Sequence, residues 1–508
     1  MKFGLKNGDK MKKVLLVNPF LTLYSDDPSG INPPLGLAYL AAFLEKKGVC
    51  VKILDVAAEG IEQKRKIGNK IRYGLAEKEI VKRIKEFGPE IVGITCQSTL
   101  HAKDAQQTAK IVKSVSKDIL VVFGGAHPSA MPGEVLKNKN VDVVIRGEGE
   151  ITLWEVVKKY PKSFEFDDIL GISFRMGKKI IHNPPRPLIK DLDELPFPAR
   201  HLLPMEIYFK KAEENGNYNM NDRVATLVTS RGCPGNCIYC AVRTVWGRVW
   251  RGRSPKNVVE EIEQIVKDYK VREFHFLDDS LAVDRQRLKG ICEEIIKRKL
   301  DIKWATPNGI AVWMLDEDLL VKMEQSGCYR LTFGLESGNK EVLHNFIGKN
   351  YDYDKARAII RFASKIGIWT VGTFIIGFPY ETRQQIEDTI AFAISTDLDF
   401  AVFYIANPFP GTPMYEIYQR ENLLPKSGAY EIVRGCQSKN FSHKELISFQ
   451  QRAFSQFIKS RFFKPWLFWR KIKEVNNYSY LGKLSWRFGK LILSQFQVQT
   501  KGIAALWR

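Results

Sequence analysis

Three of the eight cysteines in this chain, Cys233, Cys237 and Cys240, fall within eight residues of one another, in RGCPGNCIYC. Thiolates are soft ligands. A short loop carrying three of them holds three irons of a 4Fe-4S cluster with little chain entropy to lose, and leaves the fourth iron open. A zinc knuckle is the competing use of the same residues, but it asks for four ligands in two pairs. Neither a second Cys pair nor a His pair stands nearby, and His275 is an isolated residue of an apolar run. Cys50, Cys96, Cys292, Cys328 and Cys436 are scattered, so the triad reads as a ligand cluster and not as a disulfide framework.

Further residues able to do chemistry sit just after β-branched runs. Asn18 ends KKVLLVN, Ser98 and Leu100 follow EIVGITC, Gly124 and Gly125 close ILVVFGG, and Gly147 to Glu150 (GEGE) follow VDVVIRG. Later in the chain Asp278 and Asp279 end REFHFLDD, Glu336 and Ser337 end YRLTFGLES, and IIGFPYET and NPFPGTPMY occupy Ile375 to Thr382 and Asn407 to Tyr415. In parallel α/β sheets ligands bind outside the carboxyl ends of strands, where glycines let backbone approach a large flat molecule. Taken singly, each of these positions is also ordinary turn chemistry.

The elements that must position these residues form two series. At 508 residues the chain exceeds what one hydrophobic core organises. Between 11 and 160, short apolar runs alternate with helical patterns such as PLGLAYLAAFLEKKG and AEKEIVKRIKEFG, which predicts an α/β domain with a doubly wound parallel sheet. Residues 161–222, with HNPPRPLI and ELPFPAR, read as a joining segment. From 223 to 425 six strand and helix units follow without an obvious seventh, predicting an open, partial barrel. Residues 426–508 read as a helical, basic and aromatic C-terminal region.

CxxxCxxC after a strand, with Tyr239 before the last cysteine, resembles the radical S-adenosylmethionine superfamily. The later strand-end motifs resemble its subgroup of methylthiotransferases and cobalamin-dependent members. SxL at Ser98 to Leu100, the Gly124-Gly125 pair and the GEGE turn are similar to cobalamin-binding modules. The resemblance extends to the anaerobic magnesium-protoporphyrin ester cyclase and hopanoid methylase type. It implies three cofactors: a 4Fe-4S cluster on the three cysteines, S-adenosylmethionine and cobalamin. By the same resemblance Tyr239 lies against the adenine, Glu336 binds the ribose, and Asp278 and Ser337 belong to the same site. Ser98 donates to a buried nucleotide base, with Leu100, Gly124, Gly125, His127, Gly147 and Glu148 around the cobalamin.

Two departures from the family pattern stand out. The glycine-glycine-glutamate signature often found after the second barrel strand is replaced by Leu277, Asp278, Asp279 and Ser280. The DxHxxG sequence that gives cobalt an imidazole ligand is absent, since no Asp stands two before any of the seven His. The resemblance therefore implies cobalamin with its tail base displaced and no His on the lower face. His127, in GGAHPS, is either a family position or a turn residue.

The implied chemistry is methylation of an unactivated carbon of a hydrophobic or natural-product-like substrate. One S-adenosylmethionine methylates the cobalamin, and a second is reductively cleaved to abstract a hydrogen. An external donor of flavodoxin or ferredoxin type supplies the electrons. Radical oxidative cyclisation without methyl transfer is the first rival. A transfer RNA methylthiotransferase is the second, but it calls for another three-cysteine cluster ahead of the barrel, where only Cys50 and Cys96 stand. A cobalamin sensor would not need the cysteine loop.

The net charge is +21, and residues 437–508 carry 14 Lys and Arg against two acids. The stretch FIKSRFFKPWLFWRKIK mixes cations and aromatic rings. Three readings compete for it: a helix packed on the barrel, contact with an anionic membrane, and nucleic acid, which is disfavoured. No apolar run reaches the roughly 20 residues of a membrane span, and the Lys-rich opening lacks a signal peptide's apolar stretch, so a cytoplasmic protein is expected.

Overall fold

The computed structural model describes residues 11–24, 31–161, 165–214, 219–425, 435–464 and 466. The first sheet is built on near-continuous apolar runs, as strands covered on both faces require. In the strand Lys13–Asn18, Leu15 and Val17 pack with Ile80, Ile84 and Ala105 on one side, while Val14 and Leu16 pack with Leu37, Ala41 and Leu153 on the other. Five parallel strands run in the order Cys50–Asp55, Lys13–Asn18, Ile91–Thr95, Leu120–Gly124, Val143–Ile145.

The sheet does not stop at residue 160. Ile172–Met176 pairs antiparallel with Val143–Ile145, and Lys179–His182 pairs with it in turn. The segment read from sequence as a linker thus supplies two edge strands to the first domain. These strands are five and four residues long and run straight into a Pro-rich stretch, which is why no alternation betrays them. The same segment supplies the helix Met205–Glu214, whose Tyr208 and Phe209 join the core of the second domain. A small antiparallel sheet of Leu21–Tyr24, Lys64–Ile67 and Lys70–Tyr73 was also not foreseen; Arg72 ties it to Asp104 at 2.9 Å.

In the second domain six parallel strands follow chain order: Val224–Leu227, Glu273–Phe276, Lys303–Ile310, Cys328–Glu336, Trp369–Ile376 and Phe400–Ile405. The first and last are not paired, so the barrel is open, as six units without a seventh predict. The outer helices begin at N-caps Ser254, Asp284, Asp316, Asp352 and Thr382, each accepting a backbone N–H. Phe274, Phe276, Trp304, Phe333 and Phe374 face those helices. Ala305, Tyr329 and Trp369 form a separate cluster with Met220 and Phe400, which closes the amino end of the barrel.

The helix His443–Phe462 starts at a capping box of Ser442 and Glu445 and buries Leu446, Phe449, Ala453 and Phe457. Its Arg461 donates to the carbonyls of Ile394, Thr396 and Leu398 at 2.8–3.0 Å. Part of the basic aromatic region therefore belongs to the catalytic fold. Phe462 and Phe463, by contrast, are 67% and 81% exposed. The rest of that region, 426–434, 465 and 467–508, lies outside the described residues. No helix among the described residues is long and apolar enough to cross a membrane.

Candidate functional site

The cysteine loop leaves the first barrel strand under firm control. Asp278, buried at the end of the second strand, accepts from the Thr229 hydroxyl at 2.7 Å, from Ser230 Oγ at 2.5 Å and from the Thr229 N–H at 3.2 Å. Asp279 accepts from the Gly232 N–H at 3.3 Å. Gly232 has φ +87°, and a Cβ there would meet the Val249 carbonyl oxygen at 2.1 Å, so only glycine lets the loop pass the backbone at Val249. Further along, Ile238 donates to the Ile347 carbonyl at 3.2 Å and accepts from Met414 at 3.0 Å.

The three cysteines are half-buried. Burial pushes the Cys240 thiol up to about 11 and raises Cys237 as well, against the pull of the Lys349 charge. Thiolates here thus need a cation to hold them, which bound iron supplies. Among the described residues no three His, Cys, Asp or Glu side chains converge on a single ion. A cluster makes a different demand, since each cysteine reaches its own iron. Three thiols on one loop, with no fourth protein ligand beside them among the described residues, fit a 4Fe-4S cluster with one open iron.

Around this loop the barrel brings together residues far apart in sequence. Tyr239 is half-buried near Glu336, and burial together with that carboxylate raises its phenol. Glu336 is paired with Lys349 at 2.7 Å, and Lys349 also donates to the Gly334 carbonyl at 3.2 Å. Burial alone would lower Lys349; Glu336 and Cys237 outweigh it and hold the ammonium charged. Glu336 itself has φ +65°, at an irregularity in the strand pairing, a conformation that a non-glycine residue adopts when its surroundings impose it. Tyr404, 52% exposed on the last strand, feels the Glu336 charge too.

Not every residue expected here reaches the loop. Asp278 is spent bracing Thr229 and Ser230, and Ser337 is buried in a turn with Thr389 at 3.0 Å and Asn339. Asp279 is an acid whose charge reaches the Cys240 thiol, as that of Glu336 reaches Cys237, and burial raises Asp279 to about 6. Lys349 and Tyr404 were missed, and Asp279 was singled out only as the neighbour of Asp278. The signals available were the Asp-Asp pair itself and a lysine thirteen residues after Glu336, neither of which is specific.

At the carboxyl ends of the first sheet, Ser98 accepts from the Leu100 N–H at 3.3 Å, and Thr99 bonds Nδ1 of His127 at 3.1 Å. Burial lowers His127 to about 4, so the imidazole is neutral. Gly124 has open space where a Cβ would stand. Gly125 is different: with φ +110° its Cβ would meet the Cys96 carbonyl oxygen at 2.6 Å, so chain packing explains it without a ligand. Gly147 lies against the second domain, where its Cβ would stand 3.4 Å from the Val245 carbonyl oxygen. Glu148, expected beside the cofactor, is instead committed to Arg231 at 2.7 Å, to Arg251 at 3.0 Å and to the Ile189 N–H at 2.7 Å.

A doubly wound domain joined to an open six-stranded barrel with a three-cysteine loop defines a two-domain enzyme of radical chemistry. The B12 binding domain family matches residues 23–157 and the Radical SAM superfamily matches residues 227–393. The chain is 37% identical over 417 residues to an uncharacterized methyltransferase of Pyrococcus horikoshii, covering 82% of this chain and 85% of that protein. It is 33% identical over 463 residues to the cytidylyl-2-hydroxyethylphosphonate methyltransferase of Streptomyces wedmorensis, covering 85% and 86%. In fold it is similar to the cobalamin-dependent radical enzyme OxsB, solved with aqua-cobalamin and S-adenosylmethionine bound, with a TM-score of 0.70 at 19% identity over 96% of this chain and 72% of that one. The chain belongs to the cobalamin-dependent radical S-adenosylmethionine methyltransferase family. Its cofactors are a 4Fe-4S cluster, S-adenosylmethionine and cobalamin.

Proposed function

We propose that this enzyme methylates an unactivated carbon of a small molecule held in the open barrel, with Cys233, Cys237 and Cys240 carrying the cluster. The gathering of Tyr239, Glu336 and Lys349 at the cysteine loop is the observation that supports this reading. When bound, the cluster supplies the electron that cleaves S-adenosylmethionine and cobalamin carries the methyl group. The chain's own residues bind and orient. Lys349 complements the carboxylate of S-adenosylmethionine and Asp279 its ammonium; Glu336 accepts from ribose hydroxyls, and Tyr239 lies against the adenine. In the first domain the space over Gly124 admits a flat ring, with Ser98, Leu100 and His127 beside it.

The substrate binds against the inner wall of the barrel. Thr373 pairs with Val402 and Ile375 with Tyr404, so all four share one face, opposite to Phe374 and Ile376 in the outer core. Val402 and Tyr404 are 36% and 52% exposed, an apolar and aromatic surface suited to a hydrophobic or natural-product-like molecule. Below it, His275 meets Glu273 at 3.3 Å and Arg330 at 3.5 Å, giving the cavity a polar floor. Exposed Arg243 and Arg248, beside the loop, suit an acidic electron donor of flavodoxin or ferredoxin type. Exposed Phe462, Phe463 and Trp466 suit peripheral contact with an anionic membrane.

Anaerobically reconstituted protein is expected to hold about four irons per chain and to form both 5′-deoxyadenosine and S-adenosylhomocysteine under reducing conditions. Changing Cys233, Cys237 and Cys240 together to Ala abolishes the cluster absorbance and the 5′-deoxyadenosine. A full cluster in that variant would overturn the ligand assignment. Deoxyadenosine without any methylated product, once a substrate is in hand, would favour cyclisation over methyl transfer.

A further inference from the structure

Arg231 stands two residues before Cys233, and its guanidinium is shared between two acids of the first domain. One nitrogen donates to Glu148 at 2.7 Å and the other to Glu150 at 2.6 Å. Arg251, its antiparallel partner in the two-residue ladder of Ser230–Arg231 and Arg251–Gly252, donates to both oxygens of Glu148 at 3.0 Å. All four side chains are at least nine-tenths buried. The Arg231 guanidinium also lies 5.3 Å from the ring centre of Tyr39, in the first domain, and 5.2 Å from that of Trp246, on the far side of the cysteines.

The far side of the loop meets the same domain. The helix Arg243–Trp246 packs on the helix Ala126–Ala130, which follows the Gly124-Gly125 pair. Gly147 abuts the Val245 carbonyl, as described above. The cysteines therefore lie on a segment held at both ends by the turns that close the first sheet. Two acids and two arginines balance in charge, which offsets the cost of burying them. For stability alone an apolar contact would serve as well, whereas a two-pronged guanidinium fixes distance and rotation together.

We propose that Glu148, Glu150 and Arg231 are positioning residues that set the distance and orientation of the cysteine loop relative to the cobalamin domain. The proposal rests on the functional reading only in taking that loop to carry the cluster. The two glutamates of GEGE are then an address for the neighbouring domain and not contacts of the cofactor. The reaction needs this registration, because a methyl donor on one domain and a hydrogen acceptor on the other must reach one substrate carbon.

The test uses the full-length, reconstituted protein and the variants Glu150→Gln, Glu148→Gln and Arg231→Lys, with Glu155→Gln, whose carboxylate pairs with Arg186 inside the first domain, as control. Backbone hydrogen exchange is read by peptide alongside iron and cobalamin content. Exchange in 232–248 should quicken roughly tenfold or more in the first two variants, since removing one partner leaves its buried mate uncompensated. The rest of both domains and the iron and cobalamin contents should stay as in wild type. Arg231→Lys, which keeps the charge but loses the fork, should fall between. The magnetic interaction between the reduced cluster and Co(II) should weaken or spread in the same order, which a general loss of stability would not produce. Unchanged protection of 232–248, or faster exchange spread evenly over the chain, would overturn the proposal. If the glutamine variants do not fold, Arg231→Lys decides alone, and wild-type protection there overturns it. A wild-type protein without cluster or cobalamin would sink the functional reading, while the exchange contrast would still decide the clamp.

Discussion

Glu381 is completely buried at the turn of IIGFPYET, where one carboxylate oxygen accepts from the Gly377 N–H at 2.6 Å and the Phe378 N–H at 3.1 Å. Its other oxygen has no hydrogen-bond partner among the described residues, and burial raises the acid to about 8. The turn it holds carries Phe378, whose ring centre is 6.2 Å from that of Tyr239. Between the ordinary value of 4.5 and about 8 the folded chain binds a proton that the unfolded chain has released, so stability falls as pH rises through this window. Glu381→Gln should therefore melt like wild type near about pH 5 and be more stable by a few kcal/mol near about pH 8.5. Equal melting at both would show that the carboxyl is ionised in the fold.

At the scale of elements, the helix His443–Phe462 divides its own residues between two environments. Phe457 and Arg461 turn inward, the latter closing the carbonyls of Ile394, Thr396 and Leu398 at the carboxyl end of the helix Arg383–Ser395, while Phe462 and Phe463 face solvent. If the exposed pair meets a membrane, Phe462→Ser with Phe463→Ser should reduce co-sedimentation with anionic vesicles and leave the melting temperature unchanged. Wild-type binding should fade with salt, as the screening length drops from about 10 Å at 0.1 M to about 3 Å at 1 M. Binding that ignores both the substitutions and the salt would count against contact through this helix end. The two edge strands Ile172–Met176 and Lys179–His182 make a related point, because strands this short depend on a neighbouring sheet edge to form.

At the scale of the molecule the two domains share one polar interface. Tyr208 donates to Asp55 at 2.5 Å, Arg200 holds Glu261 at 2.5 Å, and Arg231 holds Glu148 and Glu150. Cobalamin seated at the carboxyl ends of the first sheet would face the cysteine loop across this interface. His127, neutral and bonded to Thr99, lies in the short helix after Gly125 and not in a DxHxxG sequence. The Co(II) form should consequently show no superhyperfine splitting from an axial nitrogen, and His127→Ala should leave that spectrum unaltered. Nitrogen splitting that vanishes in His127→Ala would instead identify the imidazole as a ligand.

The local arrangement was legible in the sequence because its causes are local. Three closely spaced cysteines need only one loop, apolar runs alternating with helical patterns need only the two faces of a parallel sheet, and Ser, Asp and Thr caps act within a turn. What each strand-end residue faces depends on chain segments tens to hundreds of positions away. Nothing near Glu148 indicates that Arg231 and Arg251 will use its oxygens, and nothing near Asp278 indicates that Thr229 and Ser230 will use its own. Lys349 joins Glu336 and Tyr239 only when the fourth strand, its following loop and the cysteine loop are folded together. A carboxylate takes whichever donors the fold brings within reach, and the three-dimensional packing of the two domains supplies them.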